Sequence, residues 1–235
     1  MIQELATRFL GERNIGRLQF LLKPKLANNF GGPLNGQAHR RRMFSDIMAS
    51  MPFTAIVETG TFRGTTTAFF GTWGLPVYSV EIDPRNAGFA SLRLFSQRRR
   101  IHLFEGESPR FLKGLAARVE FPKERVFFYL DAHWRAHLPL AEELEIIFTN
   151  WREAVVMVDD FKVPGSDYGY DDYGPGKVLS LEYLDRLRDL ELMPFFPALP
   201  AELETGLRRG SVVLCREASV ADHLRRIESL TTPTQ

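Results

Sequence analysis

Acidic residues close one apolar run after another in this chain. Ala55-Ile56-Val57 ends in Glu58 and the run 77–80 in Glu81; Val126-Phe127-Phe128-Tyr129-Leu130 ends in Asp131, and the run 154–158 in Asp159-Asp160. Glu105 sits close to the end of a further run. Carboxylates gathered along one rim repel one another, so something positive is expected to hold them together. Between the first two acids lies a turn, Thr59-Gly60-Thr61-Phe62-Arg63-Gly64, followed by a stretch, 65–73, that can wind as a helix. Strand, glycine turn, helix and a second strand closed by an acid is the plan of a nucleotide-binding βαβ unit. The acid on the second strand can accept from both ribose hydroxyls and is hostile to a 2′-phosphate. A dinucleotide site needs G-x-G-x-x-G, which sets a pyrophosphate on a helix N-terminus. The spacing here is Glu58-x-Gly60-x-x-x-Gly64. An acid ahead of the glycines would repel a pyrophosphate, but it could receive an ammonium group, directly or through a water.

The elements that must carry these acids follow from periodicity. Short amphipathic helices are predicted over 2–10 and 16–27, interrupted by Gly11 and Pro24, then a turn-rich loop over 28–36 and a helix over 37–51 stopped by Pro52. Helices over 85–97, 109–118, 138–150, 179–190 and 217–228 alternate with strands at 101–105, 126–130 and 154–158. Ser108 and Pro109 read as the N-cap and first residue of their helix. The extended stretch 193–199 and the strand 211–215 can pair antiparallel at one end of the sheet, and 231–235 reads as a frayed end. The fold class is therefore α/β: a doubly wound, mostly parallel Rossmann-like sheet with an antiparallel C-terminal strand. Residues 1–35 read as a helical appendage (a lid, a dimerisation arm or plain packing) ahead of one domain over 36–235.

Composition narrows the classes. The formal net charge of the 235 residues is +1, which gives no global bias toward nucleic acid or an anionic membrane. The basic clusters His39-Arg40-Arg41-Arg42 and Arg98-Arg99-Arg100 have no interleaved aromatics and read as solvated helix faces or ends. Cys215, the only cysteine, excludes an internal disulfide and fits a reducing compartment. No apolar run reaches membrane-spanning length, and Glu4 and Arg8 break up the first apolar turns. The expectation is a soluble, cytoplasmic protein.

The motif Glu58-x-Gly60-x-x-x-Gly64 resembles motif I of the class I S-adenosylmethionine-dependent methyltransferases. Tyr129-Leu130-Asp131-Ala132-His133-Trp134-Arg135, then Leu138-Pro139 and Val158-Asp159-Asp160, resembles more narrowly the metal-dependent O-methyltransferases typified by catechol O-methyltransferase. Gly36-Gln37, Thr66, Glu81 and Gly106-Glu107-Ser108 extend the likeness, which covers about residues 36–160. The family carries Asp-His-Trp-Lys after the fourth strand and Asp-Asn after the fifth. Here Ala132 is inserted, Arg135 stands for the Lys, and Asp160 stands for the Asn.

The resemblance implies S-adenosylmethionine and Mg²⁺, or another divalent cation, as cofactors. Asp131, Asp159 and Asp160 would be the metal ligands, a set of carboxylates suited to an octahedral ion that keeps positions open for substrate oxygens. Glu58, Thr59, Gly60, Thr61, Gly64 and Thr66 would line the methionine moiety, and Glu81 with Ile82 the ribose. Gly106, Glu107 and Ser108 would flank the adenine, with Asp131 and His133 beside the cofactor. The family's general base is the Lys; Arg135 cannot serve readily because it holds its proton, so His133 or His137 could take the role. His133 could equally pack beside the adenine. Tyr168, Tyr170, Tyr173, Asp171 and Asp172 lie in a long loop after the last acids and could form a substrate lid. The implied activity is methyl transfer to a hydroxyl of a small molecule, with no nucleic acid or membrane partner and with a homodimer allowed. Two other readings compete: an Fe²⁺-dependent hydroxylase on the same scaffold and a non-catalytic cofactor-binding protein.

Overall fold

The computed structural model describes residues 2–133 and 138–233. Eight strands form one sheet: β1 (Ala55–Thr59), β2 (Val77–Glu81), β3 (Ile101–Glu105), β4 (Val126–Leu130), β5 (Val155–Asp159), β6 (Met193–Pro197), β7 (Ser211–Cys215) and β8 (Leu230–Thr231). Their order is β3-β2-β1-β4-β5-β7-β6-β8. The first five are parallel; β7 runs antiparallel to β5 and β6 antiparallel to β7. The order reverses between β1 and β4, so the crevice for a ligand opens above the carboxyl ends of these two strands.

Strand residues alternate between two apolar cores. Val57, Phe128, Val156 and Val212 point to the face covered by α5 (Ser108–Ala117) and α6 (Leu140–Asn150). Ile56, Phe127, Met157 and Val213 point to the face covered by α2 (Ala38–Ser50), α3 (Thr65–Phe70) and α8 (Ala218–Leu224). Central parallel strands covered on both faces read as unbroken apolar runs, as β4 and β5 do.

The predicted elements stand with shifted ends: the helix predicted over 85–97 stops at Arg93 before a 3₁₀ turn, and the one over 217–228 spans Ala218–Leu224. The N-terminal stretch α1 (Ile2–Leu22) is interrupted at Gly11 (φ 72°) as expected, but its second helix ends at Leu22, and the chain after it is wound into 3₁₀ turns over Pro24–Gly31 and Pro33–Gly36. Glu107, not Ser108, occupies the N-cap of α5, so Ser108 is inside the helix and buried. Only α7 (Leu181–Leu184) of the stretch 179–190 is α-helical, and Asp185–Leu190 after it tightens into a 3₁₀ helix. Thr231 is not frayed: it pairs with Phe196 in the short edge strand β8.

The leading segment is packed onto the domain at a backbone-close crossing. Gly16 of α1 meets Gly88 of α4 (Pro84–Arg93); a Cβ on either would run into the carbonyl of Arg85 or of Arg13 on the facing helix. Arg85 pairs with Glu12 at 2.6 Å beside that contact.

Candidate active site

The acids reach one rim because each ends a parallel strand in register: Thr59 is level with Leu130, and Leu130 with Val158. Gly60 draws the two central strand ends together. At φ 88° it adopts a conformation that favours glycine, and a Cβ there would strike the Asp131 carbonyl.

On the β1–β2 side the acids are held by neutral donors. Glu58 is fully buried, and its Oε2 accepts from the hydroxyls of Thr67 and Ser79, both at 2.5 Å. Burial pushes its pKa up to about 7 against those two hydrogen bonds. Glu81 accepts from the Phe62 amide at 2.5 Å and the Asp83 amide at 2.9 Å, and burial raises its pKa as well. The Glu81 carboxylate keeps capacity for a further donor. Ile82 is 53% exposed, an apolar face in water beside that acid. Gly106, at φ 142°, has open space where a Cβ would stand.

Three assigned contacts are engaged within the chain instead. The amides of Gly60 and Thr61 both donate to the Val80 carbonyl, and the Thr66 hydroxyl accepts from the Leu34 amide. Gly64, at φ 74°, begins α3 against Leu94 and Ala90. The Thr59 and Ser108 hydroxyls are buried beside Glu143 of α6, whose pKa burial lifts to about 7 against the hydrogen bonding of those two hydroxyls. A recess between the starts of α5 and α6 is lined by Glu107, Pro109, Arg110 and Leu138.

On the β4–β5 side the acids meet guanidinium groups. Arg40 of α2 is fully buried and paired with Asp159, and it also donates to the carbonyls of Arg209 and Gly210. Burial opposes its charge most strongly, but Asp159, Tyr129, Asp160 and Asp131 together outweigh burial and raise its pKa. The basic run 39–42 is thus not wholly solvated. Helical spacing places Arg40 with Met43, Phe44 and Ile47 on the buried face of α2, a signal legible in the sequence. The N-terminus of that helix is held by Glu204, which accepts from the amides of His39 and Arg40.

Arg209 is the second cation. It donates to Asp160 at 2.7 Å and pairs with Asp171. Its backbone is clamped by Gln37, which donates to the Arg209 carbonyl and accepts from its amide. Nothing in the sequence marks Arg209, which lies in a polar connection.

Asp131, His133 and Asp160 come together, each offering a ligand atom within 4.8 Å of the others. Asp159, the third expected ligand, is turned to other partners, and His133 takes its place in the cluster. Withdrawal from solvent, then the charges of Asp159 and Asp160, push Asp131 well above the usual carboxylate range. Burial and Asp159 lift Asp160 to about 7. Burial lowers the pKa of His133, whose Nε2 has no hydrogen-bond partner among the described residues. Asp160 has φ 53°, the left-handed region that Asn and Asp tolerate best after glycine, so its backbone admits either this Asp or an Asn. Arg135 and His137 lie outside the described residues.

The loop over 161–176 is folded against this cluster. Tyr173 donates to Asp171 and, at 3.3 Å, to the His133 carbonyl. Tyr168 is buried and donates to the Leu199 carbonyl, so it does not wall the crevice; Tyr170 is partly exposed beside Lys162.

Solved structures share this arrangement of strands and helices. An O-methyltransferase from Bacillus cereus, solved with S-adenosylhomocysteine, is 13% identical with a TM-score of 0.55, covering 92% of this chain and 97% of its own. The O-methyltransferase TomG from Streptomyces achromogenes, solved with S-adenosylmethionine, is 16% identical with a TM-score of 0.54, covering 76% and 80%. A candidate O-methyltransferase from Klebsiella pneumoniae is 14% identical with a TM-score of 0.56, covering 92% and 96%. This is the class I methyltransferase fold. The likeness is one of fold, since no family model and no curated protein matches the sequence. No helix among the described residues is long and apolar enough to cross a membrane.

Proposed function

We propose that the protein is an S-adenosylmethionine-dependent O-methyltransferase that methylates a hydroxyl of a small molecule with the help of a divalent cation. One observation carries this reading. At the point where strand order reverses, four carboxylates (Asp131, Asp159, Asp160 and Asp171) face two guanidinium groups, Arg40 and Arg209. Fully ionised, these six groups among the described residues keep an excess of two negative charges, the amount that one divalent cation balances. The raised pKa values of Asp131 and Asp160 express the same excess without a cation.

Bound at this point, the cofactor supplies an electrophilic methyl group and the cation orients and acidifies a hydroxyl. The chain supplies the rest. Glu81 accepts from ribose hydroxyls through its remaining lone pairs, and Ile82 offers an apolar face for the adenine. The open space at Gly106 leaves room for a ring edge nearby. His133, held neutral by burial, can hold a cation or take a proton through Nε2, and at one nitrogen the two uses exclude each other. His137 then stands as proton acceptor, while Arg135, which keeps its proton, can only balance charge.

An Fe²⁺-dependent hydroxylase is the second reading, favoured by the imidazole in the donor set. Calorimetric titration of S-adenosylhomocysteine and S-adenosylmethionine, with and without a divalent cation, separates the two. Micromolar binding is expected under the methyltransferase reading, and the absence of binding under every metal condition overturns it. Turnover would then be sought with diols, phenols and sugars as acceptors.

A further inference from the structure

Asp159 and Asp131 stand on neighbouring strand ends and differ in one countable respect. Oδ1 of Asp159 takes Arg40 and the Asp160 amide at 2.7 Å; Oδ2 takes the Tyr129 hydroxyl at 2.5 Å and Asn35 Nδ2 at 3.0 Å. A carboxylate offers about four lone-pair sites, so Asp159 is saturated by the chain itself. Among the described residues the Asp131 carboxylate accepts no hydrogen bond; its nearest partner is His133 Nε2, 4.0 Å from Oδ1. That Nε2 is buried and unpartnered. Asp160 gives one oxygen to Arg209 and keeps the other.

We propose that the cation site of this chain is Asp131, His133 and Asp160, with Asp159 withdrawn by Arg40, and that it prefers a transition ion such as Zn²⁺, Co²⁺ or Fe²⁺ to Mg²⁺. The three ligand atoms lie within 4.8 Å of one another, little more than the roughly 4.2 Å across two opposed metal–ligand bonds of about 2.1 Å. Small side-chain rotations would close them on an ion. Mg²⁺ seeks an all-oxygen octahedron and gains little from imidazole, whereas imidazole suits Zn²⁺, Fe²⁺ and Cu²⁺. Asp159 and Arg40 act as positioning residues: they fill the place of a third carboxylate and leave the nitrogen to complete the set. The inference rests on the methyltransferase reading for the use of the site, but it is measured without turnover.

The test uses the full chain, freed of metal with a chelator and titrated with Co²⁺ by visible absorption and with Zn²⁺ and Mg²⁺ by calorimetry. Zn²⁺ and Co²⁺ are expected to bind at least about 100-fold more tightly than Mg²⁺. His133→Gln should weaken both at least about tenfold, with unchanged circular dichroism. Should His133→Gln fail to fold, imidazole NMR signals of the natural chain replace it: one must shift on addition of one equivalent of Zn²⁺. Mg²⁺ binding as tightly as Zn²⁺, an unaltered Co²⁺ affinity in a folded His133→Gln, or unmoved imidazole signals would overturn the inference. Titration of S-adenosylhomocysteine on the same samples keeps the two claims apart. Co²⁺ binding through His133 without cofactor binding supports the site and removes the methyltransferase reading. Cofactor binding with equal Mg²⁺ and Zn²⁺ affinities does the reverse.

Discussion

The acids at the ends of β1 and β2 and those at the ends of β4 and β5 border the same crevice, but different chemistry holds them. Glu58 and Glu81 accept hydrogen bonds from hydroxyls and amides. Asp159 and Asp160 are paired with buried or half-buried guanidinium groups. Neutral donors hold a carboxylate in place without cancelling its charge, which leaves it able to accept from a ribose or to take up a proton. A guanidinium cancels the charge and fixes the geometry. The first arrangement suits a neutral, hydroxyl-rich ligand, and the second sets how much positive charge the crevice still needs.

The contrast breaks most visibly at Arg40. Arg40→Ala would leave Asp159 buried and unpaired, and a loss of about 3–5 kcal/mol is expected in urea unfolding. The pair Arg40→Met with Asp159→Leu should recover most of that loss. If Arg40→Ala alone left stability unchanged, the second half of the rim would be no more charge-matched than the first.

Arg40 also shows what was legible in the sequence. Its place at i with apolar partners at i+3, i+4 and i+7 was available from the helical period, yet the run of four basic residues suggested a solvated face. The parallel sheet, the glycine turn and the terminal acids were legible because each is set by local pattern. Arg209 was not, since only the return of the β6–β7 connection to the rim, locked by Gln37, brings it to Asp160 and Asp171. The saturation of Asp159 was hidden for the same reason: its donors come from residues 35, 40, 129 and 160. The strand β8 escaped notice because two residues carry no period.

Glu58 gives the next effect. Its pKa is raised from 4.5 to about 7 on folding, so between those values the native state binds more protons than the unfolded state. Stability from this group is therefore highest below about pH 4.5 and falls as the pH rises to about 7. The full difference is about 3 kcal/mol at most. Glu58→Gln should raise the melting temperature at pH 8 relative to the natural chain and leave it little changed at pH 5. Equal shifts at both pH values would mean that the acid is already charged in the folded state.

The smallest effect belongs to Glu81. Replacing one carboxylate oxygen by an amide in Glu81→Gln keeps its bulk and weakens hydrogen bonds from ribose hydroxyls. A loss of about 1–2 kcal/mol in S-adenosylhomocysteine binding, or roughly tenfold, is expected by calorimetry. Unchanged affinity would leave Glu81 as an anchor for the Phe62 and Asp83 amides alone and remove the functional half of the comparison.

The left-handed backbone of Asp160 has an evolutionary consequence. A position at φ 53° is open chiefly to asparagine, aspartate and glycine, whose codons AAY, GAY and GGY form a chain of single-base changes. Mutation can walk along that chain without disturbing the turn after β5. Each step alters either the charge of the rim or the number of oxygens it presents. A lineage carrying this fold can thus retune the charge of its rim by point mutation while the backbone of the turn keeps its conformation.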